Sequence, residues 1–183
     1  MSHDVIIRPA EEDDLPAITA IYNDAVRTGT ASYELEPPGL AEMTRRWRFL
    51  VSDDFPYLAA TREGALIGYA YAGPFRPRPA YRFSVEDSIY IAPHAQRGGV
   101  GRVLLSELIV RCETKKFRQM IAVIGGGTEQ PASVKLHETL GFRRIGLIEG
   151  AGFKFGRWLD TVLMQRQLGP GRSAPPEEVT AES

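Results

Sequence analysis

Cysteine is nearly missing from this chain: Cys112 is the only one in 183 residues. A single thiol excludes an internal disulfide and argues against a cysteine-based metal site, so no metal is expected. Histidine is almost as scarce, and of His3, His94 and His137 the first two have no identifiable partner in the sequence. Net charge is close to absent at −1, which leaves no global electrostatic case for nucleic acid or an anionic membrane; any positive potential must be local. No apolar run approaches the roughly 18 residues that a membrane helix requires. The opening residues 1–8 show no basic stretch followed by a long apolar one. These absences point to a soluble, cytoplasmic protein that works on small molecules.

What is there is material for a core. With 43% apolar content the chain fits one domain, expected over residues 1–168. From Gly169 the composition turns to Gly, Pro, Ser and Glu with almost nothing to bury, so residues 169–183 are expected to form a disordered C-terminal tail. No internal repeat is visible. A short strand at residues 5–8 leads to a helix that starts at Asp13, Asp14, Leu15 and Pro16 and carries Ile18, Ile21, Tyr22, Ala25 and Val26 at helical spacing. Leu40, Met43, Trp47, Leu50 and Val51 mark a second amphipathic helix with arginines on its other side. Residues 57–62 and 65–72, joined by Glu63 and Gly64, read as a hairpin. Residues 84–91 read as a further strand and residues 102–116 as a helix with Val103, Leu104, Leu108, Ile109 and Cys112 on its apolar side. Residues 119–124 form a continuous apolar strand of the kind buried on both faces. Pro131 opens a helix containing Val134, Leu136, His137 and Leu140, closed by a left-handed cap at Gly141, and residues 143–148 and 159–168 read as two last strands.

The densest signal is Gln96, Arg97, Gly98, Gly99, Val100, Gly101, at a junction between a strand and a helix. Glycines there let consecutive backbone N–H groups turn onto an anion where a helix N-terminus adds partial positive charge. A dinucleotide fingerprint would follow the first strand and be answered by an acid about 20 residues on. A nucleotide P-loop would need Gly-Lys-Ser/Thr, and here Gly101 is followed by Arg102. Both of those readings fail. Taken alone, the pattern fits equally well a helix-start turn whose glycines only permit tight packing.

The spacing Gln96, Gly99, Gly101 resembles the acetyl-CoA-binding signature of the GNAT superfamily of N-acetyltransferases, and more closely the phosphinothricin and methionine sulfoximine/sulfone acetyltransferases within it. Further ordered segments carry the resemblance, at residues 21–25, 69–75, 85–91, 136–142 and 154–160, and it extends over residues 4–168. It implies an α/β (α+β) GNAT fold, a central mixed, mostly antiparallel twisted sheet flanked by helices. It implies acetyl-CoA as co-substrate and a homodimer with the acceptor site near its interface. Main-chain groups of Ile89, Tyr90 and Ile91 would hold the pantetheine arm as an added strand, with an N–H near Tyr90 facing the oxyanion. Amides of Arg97, Gly98, Gly99, Val100, Gly101 and Arg102 would cradle the pyrophosphate, the two arginine side chains either adding contacts or remaining solvated. Gln130 stands where close relatives carry asparagine, on a loop longer by about two residues, and would contact the same arm.

Acetyl transfer needs a neutral amine, and the resemblance makes Glu86 the base, directly or through one water; the alternative is a solvent-facing strand acid. His137 takes the place of a tyrosine common in the superfamily and would protonate or hydrogen-bond the leaving thiolate, the alternative being a packing histidine. Arg76 or Arg78 would hold an acceptor carboxylate, with Tyr33, Tyr81 and Lys154 around the acceptor and Tyr33 as an aromatic wall; each has an alternative as loop packing or surface charge. The expected activity is N-acetylation of a small amino acid or its phosphinic, sulfoximine or sulfone analogue. A protein or peptide acceptor and a non-catalytic acetyl-CoA sensor are the other two readings.

Overall fold

The computed structural model describes residues 4–127 and 129–176; His3 and residues 177–183 of the expected tail lie outside them. The first strand, β1 (Ile6–Pro9), runs into a 3-10 turn, Glu12–Asp14, and then α1 (Leu15–Thr28). Asp14 fixes this entry: its carboxylate accepts two bonds from the Arg8 guanidinium at 2.6 and 2.8 Å and one from the Glu11 N–H at 2.8 Å. The Arg8 bond holds the Asp14 carboxyl below its usual range despite partial burial. α1 buries Leu15, Ile18, Ile21, Tyr22 and Val26, the stripe read from the sequence. α2 (Leu40–Ser52) buries Met43 and Leu50 and pairs Arg45 and Arg46 with Glu42 on its outer side, Arg46 also reaching Glu34.

β2 (Tyr57–Arg62) and β3 (Ala65–Pro74) form the expected hairpin, with Glu63 at φ 52° and Gly64 at φ 79° supplying two consecutive left-handed residues. Then come β4 (Ser84–Ile91), α3 (Val100–Thr114), β5 (Gln119–Gly125), α4 (Pro131–Thr139), β6 (Arg143–Lys154) and β7 (Arg157–Gln167). Gly141, at φ 84°, closes α4 with the left-handed cap expected of it. The seven strands make one sheet in the order β1-β2-β3-β4-β5-β7-β6, antiparallel except for the β4/β5 pair, whose parallel crossover is α3. The fold class expected from the resemblance is therefore the one observed.

Three local expectations need correction. α3 starts at Val100, two residues early, so its buried stripe is Val100, Leu104, Leu105, Leu108, Ile109 and Cys112, and Val103 falls off it at 49% exposed. β5 is not buried on both faces throughout, because Val123 lies just past the last β4 pairing and is partly exposed. The last two strands are much longer than their apolar cores and run out as a hairpin around Phe155 and Gly156, both left-handed. Of the expected tail, residues 169–176 run mostly in turns, held by bonds such as Arg118 Nη2 to the Pro175 carbonyl at 3.1 Å.

The register of β4 is what positions a site. It pairs with β3 through Ile91↔Gly68, yet with β5 only from Ser84↔Gln119 to Asp87↔Ala122. Residues 88–91 thus have a sheet partner on one side only, and a wedge opens between β4 and β5. Across the sheet, Tyr33 closes the loop after α1: its ring lies against Gly125 and Gly152, and its hydroxyl bonds Thr161 Oγ1 at 2.7 Å and donates to the Asp160 carbonyl at 3.1 Å. A Cβ at position 152 would stand 2.6 Å from the Tyr33 ring. Gly152→Ala is therefore expected to cost about 1–3 kcal/mol through overpacking, measured as a lower urea midpoint at constant m value; an unchanged midpoint would show that the ring gives way.

Candidate active site

The glycine turn, the wedge and the C-terminal end of α1 enclose a cleft of about 540 Å³. Gly99, Gly101, Arg97, Arg102, Ile89, Tyr90, Ile91 and Gln130 all border it, as do Asp24 and Thr28 of α1, which sequence reasoning missed. Sequence spacing gives no signal for those two, because only tertiary packing brings the end of α1 to the mouth of the wedge. Arg97 at φ 62° and Gly99 at φ 79° are left-handed, an alternation that turns backbone N–H groups to one side. Arginine in that region is uncommon and carries strain of about 1 kcal/mol or more, which the surrounding turn must hold. α3 has no side-chain cap, and although the Arg102 N–H turns back to the Gly99 carbonyl at 3.1 Å, the amides just before it are left for an anion. A Cβ at Gly101 would lie 3.3 Å from the Leu136 side chain, so glycine lets α3 and α4 approach there. Gln130 donates its amide to Thr30 Oγ1 at 3.2 Å, and the preceding residue, Glu129, is ion-paired to Arg157, which together tie down the long loop.

These features fit a long, amide-bearing ligand with a phosphorylated end. The turn supplies donors to an anion, and the free edge of residues 88–91 supplies alternating main-chain donors and acceptors.

Glu86 and Asp87 are neighbours on β4 and therefore point to opposite faces of the sheet. Glu86 is half-buried and stands across from Gly73 in the β3 pairing. Burial pushes its carboxyl above the usual range; the Arg76 charge pulls it back and the Asp87 charge adds to the rise. Arg76, exposed and stacked over the Phe75 ring at 4.4 Å, is thus brought within electrostatic reach of Glu86. Arg78 and Tyr81 are exposed on the same loop, Tyr81 edge-on to Phe75 at 5.7 Å.

The structure gives other tasks to three expected site residues. Tyr33 packs its ring against Gly125 and Gly152 and commits its hydroxyl to Thr161 and the Asp160 carbonyl inside the protein. Lys154 is buried, and its ammonium donates to the Ser32 carbonyl at 2.8 Å; burial lowers its pKa, with Glu34 opposing. His137 has only 2% of its side chain exposed and both ring nitrogens engaged, Nδ1 with the Ser133 carbonyl at 2.7 Å and Nε2 with Asp87 Oδ2 at 3.0 Å. Neither nitrogen is free to give a proton to a thiolate. Asp87 itself was missed, although an acid beside Glu86 in an otherwise apolar strand was a readable signal that a second buried group must answer it.

The model of the Acetyltransferase (GNAT) family matches residues 18–142, and the chain belongs to that family. It is 54% identical over 171 residues to the phosphinothricin N-acetyltransferase of Alcaligenes faecalis, covering 93% of this chain and 86% of that protein. It is 41% identical over 170 residues to the L-methionine sulfoximine/L-methionine sulfone acetyltransferase of Pseudomonas paraeruginosa, covering 92% and 98%. The crystal structure of a phosphinothricin acetyltransferase from Sinorhizobium meliloti in complex with AcCoA superposes with a TM-score of 0.93 at 52% identity, over 96% of this chain and 94% of that one.

The electrostatics of Glu86 are directly testable. Removing the opposing cation in Arg76→Ala is expected to move the Glu86 carboxyl titration further upward, followed by ¹³C NMR of the carboxyl carbon. A downward or absent shift would show that Arg76 does not face the acid.

Proposed function

We propose that this acetyltransferase acts on the amine of a small amino-acid analogue of the phosphinothricin, methionine sulfoximine or methionine sulfone type. The observation that carries the reading is the free edge of residues 88–91, which leads from the glycine turn to the strand that bears Glu86. Acetyl-CoA supplies the thioester-bound acetyl group. Amides of residues 97–101 hold its pyrophosphate, with Arg102 beside them, and main-chain groups of Ile89, Tyr90 and Ile91 hold its pantetheine arm, with Gln130 bordering the same cleft.

Glu86 accepts the proton of the substrate ammonium, and a carboxyl whose pKa burial has raised is a better proton acceptor than an ordinary one. The freed amine nitrogen forms its bond to the acetyl carbon as the carbon–sulfur bond breaks. Arg76, with Arg78 and Tyr81 beside it, holds the carboxylate that an amino acid carries next to its amine; the guanidinium fork gives that contact its directionality. The names of the relatives support this acceptor class. Domain limits of 1–168 and a cytoplasmic location belong to the same proposal. Among the described residues no helix is long and apolar enough to cross a membrane.

A homodimer is supported by an apolar strip on the β6/β7 hairpin at the sheet edge, where Ile145, Leu147, Phe153, Phe155 and Trp158 are exposed, Trp158 at 69%. Light scattering is expected to give twice the monomer mass, and Trp158→Glu to shift the population toward monomer. A monomeric parent would remove the dimer from the proposal.

Release of CoA thiol should be measured with phosphinothricin, methionine sulfoximine, methionine sulfone, ordinary amino acids and peptides. Turnover of the first three is expected, whereas turnover of peptides alone would overturn the acceptor class. Glu86→Gln is expected to lower kcat by about 10²–10⁴-fold. The acid limb of kcat/KM should lie above the ordinary carboxylate range, because activity needs the deprotonated form of a group whose pKa is raised.

A further inference from the structure

The Asp87–His137 contact joins β4 to α4 across 50 residues, with side chains 1% and 2% exposed. Its proton count follows from what surrounds it. The Ser133 carbonyl can only accept, so Nδ1 carries a hydrogen. With Asp87 ionised, its carboxylate likewise only accepts, and a bond from Nε2 then puts a second hydrogen on the ring. The imidazole is then a cation paired with a buried anion. Burial pulls His137 toward the neutral form, but the Asp87 bond and charge and the Ser133 carbonyl outweigh it, and the net shift is upward. The edge of the Phe142 ring packs on the imidazole at 4.9 Å. From α3, burial and the Asp87 charge together push the Cys112 thiol up to about 12, so it stays neutral. Glu86 lies on the opposite face, and β5 presents only Ala122, Val123 and Ile124.

Place matters as much as charge. Asp87 is the last residue of β4 that pairs with β5, and with His137 it borders a small cavity of about 60 Å³ in the wedge. That cavity shares Ala31, Ile89, Tyr90 and Ser133 with the large cleft, so the pair closes the cleft at its inner end. The second Asp87 oxygen, Oδ1, is buried with no hydrogen-bond partner among the described residues. A carboxylate kept half-satisfied in a core is expensive, and His137 is what compensates it.

We propose that Asp87 is a positioning residue for acetyl transfer, locking His137 on β4 as a cation so that α4 closes the inner end of the cleft with a charged ring rather than a neutral one. This rests on the acetyl-transfer reading given above. One ammonium proton goes to Glu86 before attack; as the carbon–sulfur bond breaks its electron pair stays on sulfur, and the second proton, shed by the acylated nitrogen, passes to that sulfur. His137 keeps both of its protons and offsets the negative charge developing on sulfur.

Imidazole ¹⁵N NMR of the full chain, which contains three histidines, reads the ring directly. Near neutral pH His137 is expected to carry protons on both nitrogens and to lose one only as pH rises through its raised pKa. In Asp87→Asn the ring should become neutral and kcat should fall by about tenfold or more, with the KM for acetyl-CoA little changed. The alkaline limb of the kcat profile should move to lower pH, and Asp87→Glu should partly restore it. A residue that merely stabilised the fold would lower the melting temperature and leave that limb in place, which would overturn the proposal. So would a neutral His137 ring in the active parent protein, a result that needs no variant to fold. A protonated ring in a parent that acetylates no amine would instead overturn the acetyl-transfer reading, and with it the positioning role.

Discussion

The parting of β4 from β5 after the Asp87↔Ala122 pair is the constraint on which the site depends. A strand inside a sheet must satisfy main-chain donors and acceptors on both sides, and four residues that do so on one side only are costly unless something else pairs with them. A ligand with amides along its length meets that demand, and the wedge gives it a path between helices that the sheet holds apart. Helix α3, the obligatory crossover of the one parallel pair, begins at the mouth of the same wedge. The glycine turn and the free edge are therefore two results of a single topological choice.

Two adjacent acids at that place have opposite fates because of strand alternation. Glu86 faces a half-open surface with an arginine in reach, where its charge can come and go. Asp87 faces the core, where a carboxylate persists only with a partner, and His137 supplies it. One carboxylate is left half-buried with a cation in reach and the other is paired inside the core, although the two residues are adjacent in the chain.

Much of this was legible in the sequence because it is written in local periodicity. The α1 stripe, the Glu63–Gly64 hairpin turn and the Gly141 cap follow from residue types at short range, and the glycine turn stood out for the same reason. The resemblance supplied the sheet, whose β5-β7-β6 order no local pattern encodes. The sequence reading went astray where side chains meet across long separations. Tyr33 and Lys154 were expected around an acceptor, but glycines at 125 and 152 leave a slot that fits the Tyr33 ring, and the Ser32 carbonyl takes the lysine. His137 was expected as a proton donor because nothing in the run of residues around it reveals that Asp87, 50 positions earlier, binds its other nitrogen. The length of β6 was hidden by the glycines in its second half, which lower strand propensity while the hairpin pairing supports it.

The bond between Tyr33 and Thr161 spans 128 residues. During synthesis from the N-terminus, the loop after α1 therefore has no fixed seat until nearly the whole domain has emerged, and closing so large a loop requires the sheet to be assembled first. That side of the molecule is thus among the last parts to take shape as the chain leaves the ribosome. A partly made chain can build its N-terminal hairpin and α1, but it cannot yet hold the loop against which the finished C-terminal strands will lock.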